Sequence, residues 1–121
     1  MRETIFETLF VEWNRALQSG DAERVTALYA DDAILLPTLS NDIRHNHVEI
    51  KDYFVHFLHK GPTGVIDESN TRTFAGILIN SGIYTFSLAD ESSAQGRFTF
   101  VYRWGGERWL IIEHHSSLMP D

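Results

Sequence analysis

The sequence predicts an α+β fold, with helices packed on one face of a curved antiparallel sheet. Three features carry that expectation. Apolar residues recur every three or four positions through most of the first 60 residues. From Val65 onward the pattern switches to period two. Helices first and a strand meander afterwards is the order of an α+β domain rather than of alternating βα units. The 121 residues leave room for one domain, 1–121, and not two.

Ile5, Phe6, Leu9, Phe10, Trp13, Ala16 and Leu17 recur at helical spacing, so 3–18 reads as one long helix with a wide buried face. Ser19-Gly20 stops it. Asp21 then caps a short second helix carrying Val25, Leu28 and Tyr29 on its inner side. Asp31-Asp32 ends that helix, and Ala33-Ile34-Leu35-Leu36 reads as a short buried strand running into Pro37-Thr38. Asn46 stands three residues before Glu49, the spacing of a reciprocal N-terminal cap. The helix it opens lines up Ile50, Tyr53, Phe54, Phe57 and Leu58 and ends at Gly61-Pro62-Thr63-Gly64. Tyr53 lies on the margin of that stripe, where its ring is buried and its hydroxyl reaches a polar space.

Strands are expected at about 70–79, 83–89, 97–104 and 108–117. Their breaks are Asn80-Ser81-Gly82, the polar run from Asp90 to Gln95, and the Gly105-Gly106 hairpin. A sheet of this size wrapped round a long helix curls and leaves a hollow suited to a small molecule.

Composition narrows the function. The formal charge is −7, and the 10 Lys and Arg residues are scattered singly, so no basic stripe marks a nucleic-acid binder. No run approaches the roughly 18 apolar residues of a membrane span, and the amphipathic start predicts no secretion signal. With no cysteine, disulfides, thiolate metal sites and cysteine nucleophiles are excluded. The expectation is a soluble, acidic, cytoplasmic domain with no nucleic-acid or membrane partner.

The last strand holds the most chemistry. On a regular strand Trp109, Ile111, Glu113, His115 and Ser117 share one face, and Leu110, Ile112, His114 and Ser116 share the other. Adjacent histidines therefore point apart and do not share a metal. His56 and His59 lie one helical turn apart, but His59 faces solvent; His45 and His47 lie in or beside a loop. HExxH and other zinc spacings are absent, so no metal or cofactor is expected. Read alone, Tyr53 is a core aromatic with a partnered hydroxyl, His115 a structural strand histidine, and Arg44 and Arg103 ion-pair members.

Several segments nonetheless resemble a known family. They are Leu35-Leu36-Pro37-Thr38-Leu39-Ser40-Asn41, Arg44, Glu49-Ile50-Lys51-Asp52-Tyr53-Phe54 with Phe57-Leu58, Ser81-Gly82-Ile83-Tyr84-Thr85-Phe86, and Arg97-Phe98-Thr99-Phe100-Val101-Tyr102 with Trp109-Leu110-Ile111. The ending His114-His115-Ser116-Ser117-Leu118-Met119-Pro120 completes the pattern. It is similar to that of the iota-class carbonic anhydrases. These belong to a group related to the association domain of calcium/calmodulin-dependent protein kinase and to the SnoaL-like, nuclear-transport-factor-like cone fold.

The resemblance implies a cone-shaped, strongly curved antiparallel sheet with the N-terminal helices on its concave side. It implies Thr38, Tyr53, His115 and Ser117 around a carbon dioxide and bicarbonate site, metal-free as in some members, where others are described with manganese or zinc. The hydroxyls would hold the charge developing on carbon dioxide and His115 would carry the proton. Arg44 or Arg103 would attract the anion. Glu113 stands where the family commonly has a histidine, on the face of His115 and Ser117, where a carboxylate can hold a metal, orient His115 or repel bicarbonate.

Two other readings remain open. One is a non-catalytic association domain, a homodimer formed through Phe98, Phe100, Tyr102 and Trp104. The other is a cone-fold isomerase, dehydratase or cyclase, although no acid–base pair is evident among Asp31, Asp32 and His115.

Overall fold

The chain is seen in a computed structural model that describes residues 2–38 and 40–120, with side chains from residue 5 onward. Leu39 of the motif above lies outside the described residues. Helix α1 (Arg2–Gln18) is followed by α2 (Ala22–Thr26) and strand β1 (Tyr29–Leu36). Helix α3 (His47–Phe57) runs into a 3-10 turn (Leu58–Lys60). Four long strands follow: β2 (Thr63–Phe74), β3 (Ile77–Ser87), β4 (Ser93–Trp104) and β5 (Trp109–Leu118). They form one sheet in the order β1-β5-β4-β3-β2. The α+β class holds. The sheet is mixed rather than wholly antiparallel, because β1 runs parallel to β5 at the edge.

The capping signals act locally as read. Asp21 accepts from the Glu23 N–H at 2.9 Å and opens α2. Asn46 accepts from the Glu49 N–H at 3.0 Å, while Glu49 reaches back one residue further than expected, to the His45 N–H at 2.8 Å.

Helix α1 supplies the floor of the core. Phe6, Phe10, Trp13 and Leu17 are buried against the inner residues of the sheet, which include Tyr84, Phe98, Phe100 and Tyr102. The rings interlock: Trp13 meets Phe100 edge-on at 5.4 Å, and Tyr84 stacks on Phe98 at 4.6 Å.

Three expectations are corrected. Tyr29 opens β1 instead of closing α2, so this strand is twice as long as the sequence pattern shows. Its two exposed positions, Asp31 and Asp32, hide its strand character. Asn80-Ser81-Gly82 does not break a strand; β3 passes straight through it, and the turn lies at Gly76, whose φ is +71°. Gly82 is needed for closeness: a Cβ there would stand 1.9 Å from the Glu68 carbonyl oxygen, beside the bulge between Ile66 and Glu68. Finally, Phe98, Phe100 and Tyr102 are core residues at 3%, 0% and 3% exposure. They cannot form the dimer face, and only Trp104 of that set is exposed.

The bulge that sets the site lies in β5. Val101 pairs with Glu113, but Tyr102 pairs with Ile111, leaving Ile112 as the extra residue. A one-residue insertion turns every later side chain to the opposite face. Ile111 and His114, three apart, both point into the core, at 0% and 3% exposure.

Candidate functional site

Between α1, α3 and the inner sheet face lies a cavity of about 60 Å³. Aromatic and aliphatic residues line most of it, among them Trp13, Leu35, Phe54, Phe57 and Phe86. Its polar lining consists of Thr38, Tyr53, Tyr84, Gln95, His114 and Ser116. Thr38 is placed by the end of β1, Tyr53 by α3, Tyr84 by β3 and the last two by β5.

The structure brings two of the four expected site residues together, Thr38 and Tyr53. The other two are corrected. His115 and Ser117 are exposed on the outer face of the sheet, paired with Thr99 and Arg97 of β4. Their places inside are taken by His114 and Ser116. The sequence assumed unbroken alternation from Ile111, and the bulge at Ile112 reverses it. Glu113 shares the outer face with His115 and Ser117, so its carboxylate does not line the cavity.

A hydrogen-bonded relay runs from the core to this cavity. The Trp13 indole N–H donates to the Tyr29 hydroxyl at 3.2 Å, which lies 2.9 Å from His114 Nδ1. His114 Nε2 lies 3.2 Å from the Tyr84 hydroxyl. Tyr84 donates to Ser116 Oγ at 2.6 Å, and Thr38 Oγ1 donates to the same oxygen at 2.5 Å. Tyr29 is fully buried and its hydroxyl hydrogen has no other acceptor among the described residues, so the network assigns the imidazole proton to Nε2. Burial, reinforced by the neighbouring His115, lowers the His114 pKa to about 3. Phe100 stacks on its ring at 4.0 Å. His114 is thus a neutral, doubly engaged imidazole.

Burial also raises Tyr53, to about 12, partly offset by the guanidinium of Arg44 lying 5.5 Å over its ring. Arg44 is an ion-pair member as read, 3.0 Å from Asp52, and it also donates to the Glu49 carbonyl. Arg103 pairs with Asp32 at 3.6 Å and does not line the cavity. Beyond Tyr53, Arg44, His56 and Lys60 edge a separate shallow cleft.

Among the described residues the cavity offers a metal ion one imidazole with both nitrogens engaged and no carboxylate, so these residues do not fit one. Among the described residues no three His, Asp or Glu side chains gather to hold a metal elsewhere. Among the described residues no helix is long and apolar enough to cross a membrane.

The family model of the calcium/calmodulin dependent protein kinase II association domain matches residues 2–120. A crystal structure from Xanthomonas campestris, assigned as such an association domain, is 43% identical with a TM-score of 0.92, covering 96% of this chain and 86% of its own. A second, from Thiobacillus denitrificans and assigned likewise, is 15% identical with a TM-score of 0.79, covering 94% of each chain. An NTF2-like protein of unknown function from Pseudomonas putida is 17% identical with a TM-score of 0.85, covering 98% of this chain and 87% of its own. The last two show the fold alone. Comparison with curated proteins returned no match. These findings support the association-domain and cone-fold parts of the resemblance and do not reach carbon dioxide hydration.

Proposed function

This chain belongs to the calcium/calmodulin dependent protein kinase II association domain family, and from that premise we propose that it is a self-associating domain whose copies meet through the outer face of the sheet. The observation that carries the reading is a row of half-exposed aliphatic residues that, among the described residues, lie outside the core. Ile34, Val101 and Ile79 stand on one cross-strand row, with Glu113 between the first two, and Ile77 and Ile83 flank it on β3. All five aliphatics are half-buried, yet none packs against the core. Every helix lies on the other side.

Size and charge fit a second copy. Five strands about 4.8 Å apart and about ten residues long present a face of roughly 700 Å², near the ~800 Å² each partner gives to a standard interface. Arg97, Arg103 and Arg72 alternate with Glu113 and Glu68 across it, so a two-fold arrangement can pair opposite charges. The acidic, cysteine-free composition supports a cytoplasmic setting as part of the same proposal.

Light scattering is expected to give the parent a mass of at least twice 13.9 kDa. Val101→Asp should fall to the monomer mass with an unchanged circular dichroism spectrum, because a carboxylate buried at an apolar interface is costly. A monomeric parent, or an assembly that survives both Val101→Asp and Ile79→Asp, would contradict the proposal.

Carbon dioxide hydration is the competing reading, and the shared cavity position of Thr38 and Tyr53 supports it. It also asks for His115 and Ser117 in that cavity, where His114 and Ser116 stand instead. An imidazole with a pKa of about 3 is a poor acceptor for a proton from attacking water near neutral pH. Among the described residues no cationic side chain lines the cavity to hold bicarbonate. In a stopped-flow assay the protein is expected to hydrate carbon dioxide no faster than buffer. A rate above buffer that Tyr53→Phe abolishes would favour hydration instead.

A further inference from the structure

We propose that the inner cavity binds a small uncharged carbonyl compound, its oxygen accepting hydrogen bonds from Tyr53 and from the outer end of the relay. The inference rests on counting hydrogens. Trp13, Tyr29, His114, Tyr84, Ser116 and Thr38 form one chain of six groups joined by five hydrogen bonds. Each group carries a single polar hydrogen when the imidazole is neutral. Five bonds use five hydrogens, and one is left over.

Its place is constrained. The indole can only donate, so its hydrogen is spent on Tyr29. Were the imidazole hydrogen on Nδ1, the unspent one would sit on Tyr29, whose residue is 1% exposed and whose hydroxyl has no further acceptor. An unmade bond there is expensive. The remaining hydrogen therefore belongs to Tyr84, Ser116 or Thr38, and all three line the cavity. The direction of the individual hydroxyl bonds does not alter this result.

Tyr53 supplies a second donor. Its hydroxyl has no partner among the described residues, and burial keeps it protonated. Two donors carried by residues that line one cavity would match the two lone pairs of a carbonyl oxygen, which brings no hydrogens of its own. A water molecule would bring two hydrogens into a space whose walls are chiefly hydrocarbon. A carboxylate would enter with no cation to meet it, at a heavy desolvation cost. Among the described residues no charged side chain lines the cavity and none supplies a carboxylate base; the arrangement holds a carbonyl rather than converting it. The volume of about 60 Å³ sets the size. It is less than half of the roughly 150 Å³ that admits benzene with its six heavy atoms, which points to about three or four heavy atoms.

The test is an NMR titration of the intact protein with acetone, acetate and 2-propanol. Saturable amide shifts at Tyr84 and Ser116 are expected with acetone, with the alcohol weaker and the carboxylate silent. Tyr53→Phe should weaken acetone binding about three- to tenfold, the effect of one net hydrogen bond. Ala94→Leu, which fills the cavity, should abolish it. Acetate binding as tightly as acetone, no saturation with acetone, an unchanged Kd in Tyr53→Phe, or binding that survives Ala94→Leu would each overturn the proposal.

Discussion

Replacing Gly82 with alanine is expected to destabilise the protein by more than about 3 kcal/mol, beyond the usual range for an overpacked site. The added methyl would lie 1.9 Å from the Glu68 carbonyl oxygen and 2.7 Å from its carbon. Both are backbone atoms and no rotamer relieves the contact. Strands β2 and β3 would have to part at their bulge, breaking ladder bonds on both sides. Thermal denaturation should show the midpoint falling by more than about 10 °C for a domain of this size. Gly105→Ala is the control. Its Cβ would meet only the Arg108 carbonyl at 3.7 Å, an ordinary contact, and the midpoint should barely move. Equal stability of the two variants would mean that β2 and β3 are not paired in this register.

The second large effect is acid sensitivity carried by His114. An unfolded imidazole has a pKa of about 6.5, and folding lowers that of His114 to about 3. Between those values the unfolded chain binds a proton that the folded chain refuses. Stability from this group is therefore complete above pH 6.5 and is lost as the pH falls toward 3. The slope is about 1.4 kcal/mol per pH unit, or roughly 3 kcal/mol between pH 6.5 and 4. Glu49 and Asp90, whose carboxyls hydrogen bonds hold below their ordinary values, add their own loss only at lower pH. Denaturant unfolding across this range should show the parent weakening steadily. His114→Gln should be less stable at pH 7 and lose most of that slope. A parent curve that stays flat from pH 6.5 to 4 would place a protonatable, hydrated imidazole at this position.

Much of this was legible in the residues. Helical spacing around Phe6, Phe10 and Trp13 located α1, and Asn46 with Glu49 located the start of α3, because amphipathic period and capping are local properties. The α+β order and the hollow followed from them. What failed depends on contacts between distant segments. Gly82 reads like a turn residue because a chain gives no sign that another backbone will pass close by. The parallel pairing of β1 with β5 joins Tyr29 to Ile111, and no local pattern announces such a partner. At the site, Thr38 entered through the family resemblance, and Tyr53 was legible because it sits at the margin of a clear helical stripe. His114 and Ser116 were not, since the single extra residue Ile112 reverses the face of all that follows and bulges leave little trace in composition. Tyr29 and Tyr84 were missed as relay members for a similar reason: their polarity matters only beside His114.

The chemistry of the cavity depends on which of two adjacent histidines lies inside. Long-range 15N–1H correlation spectra of the imidazoles, followed from pH 8 to 4, read this directly. The account predicts that His114 stays a neutral Nε2–H tautomer throughout that range. If His114 instead gains a proton in the ordinary imidazole range near pH 6.5, the cavity is lined by the other face of β5 and the relay does not exist.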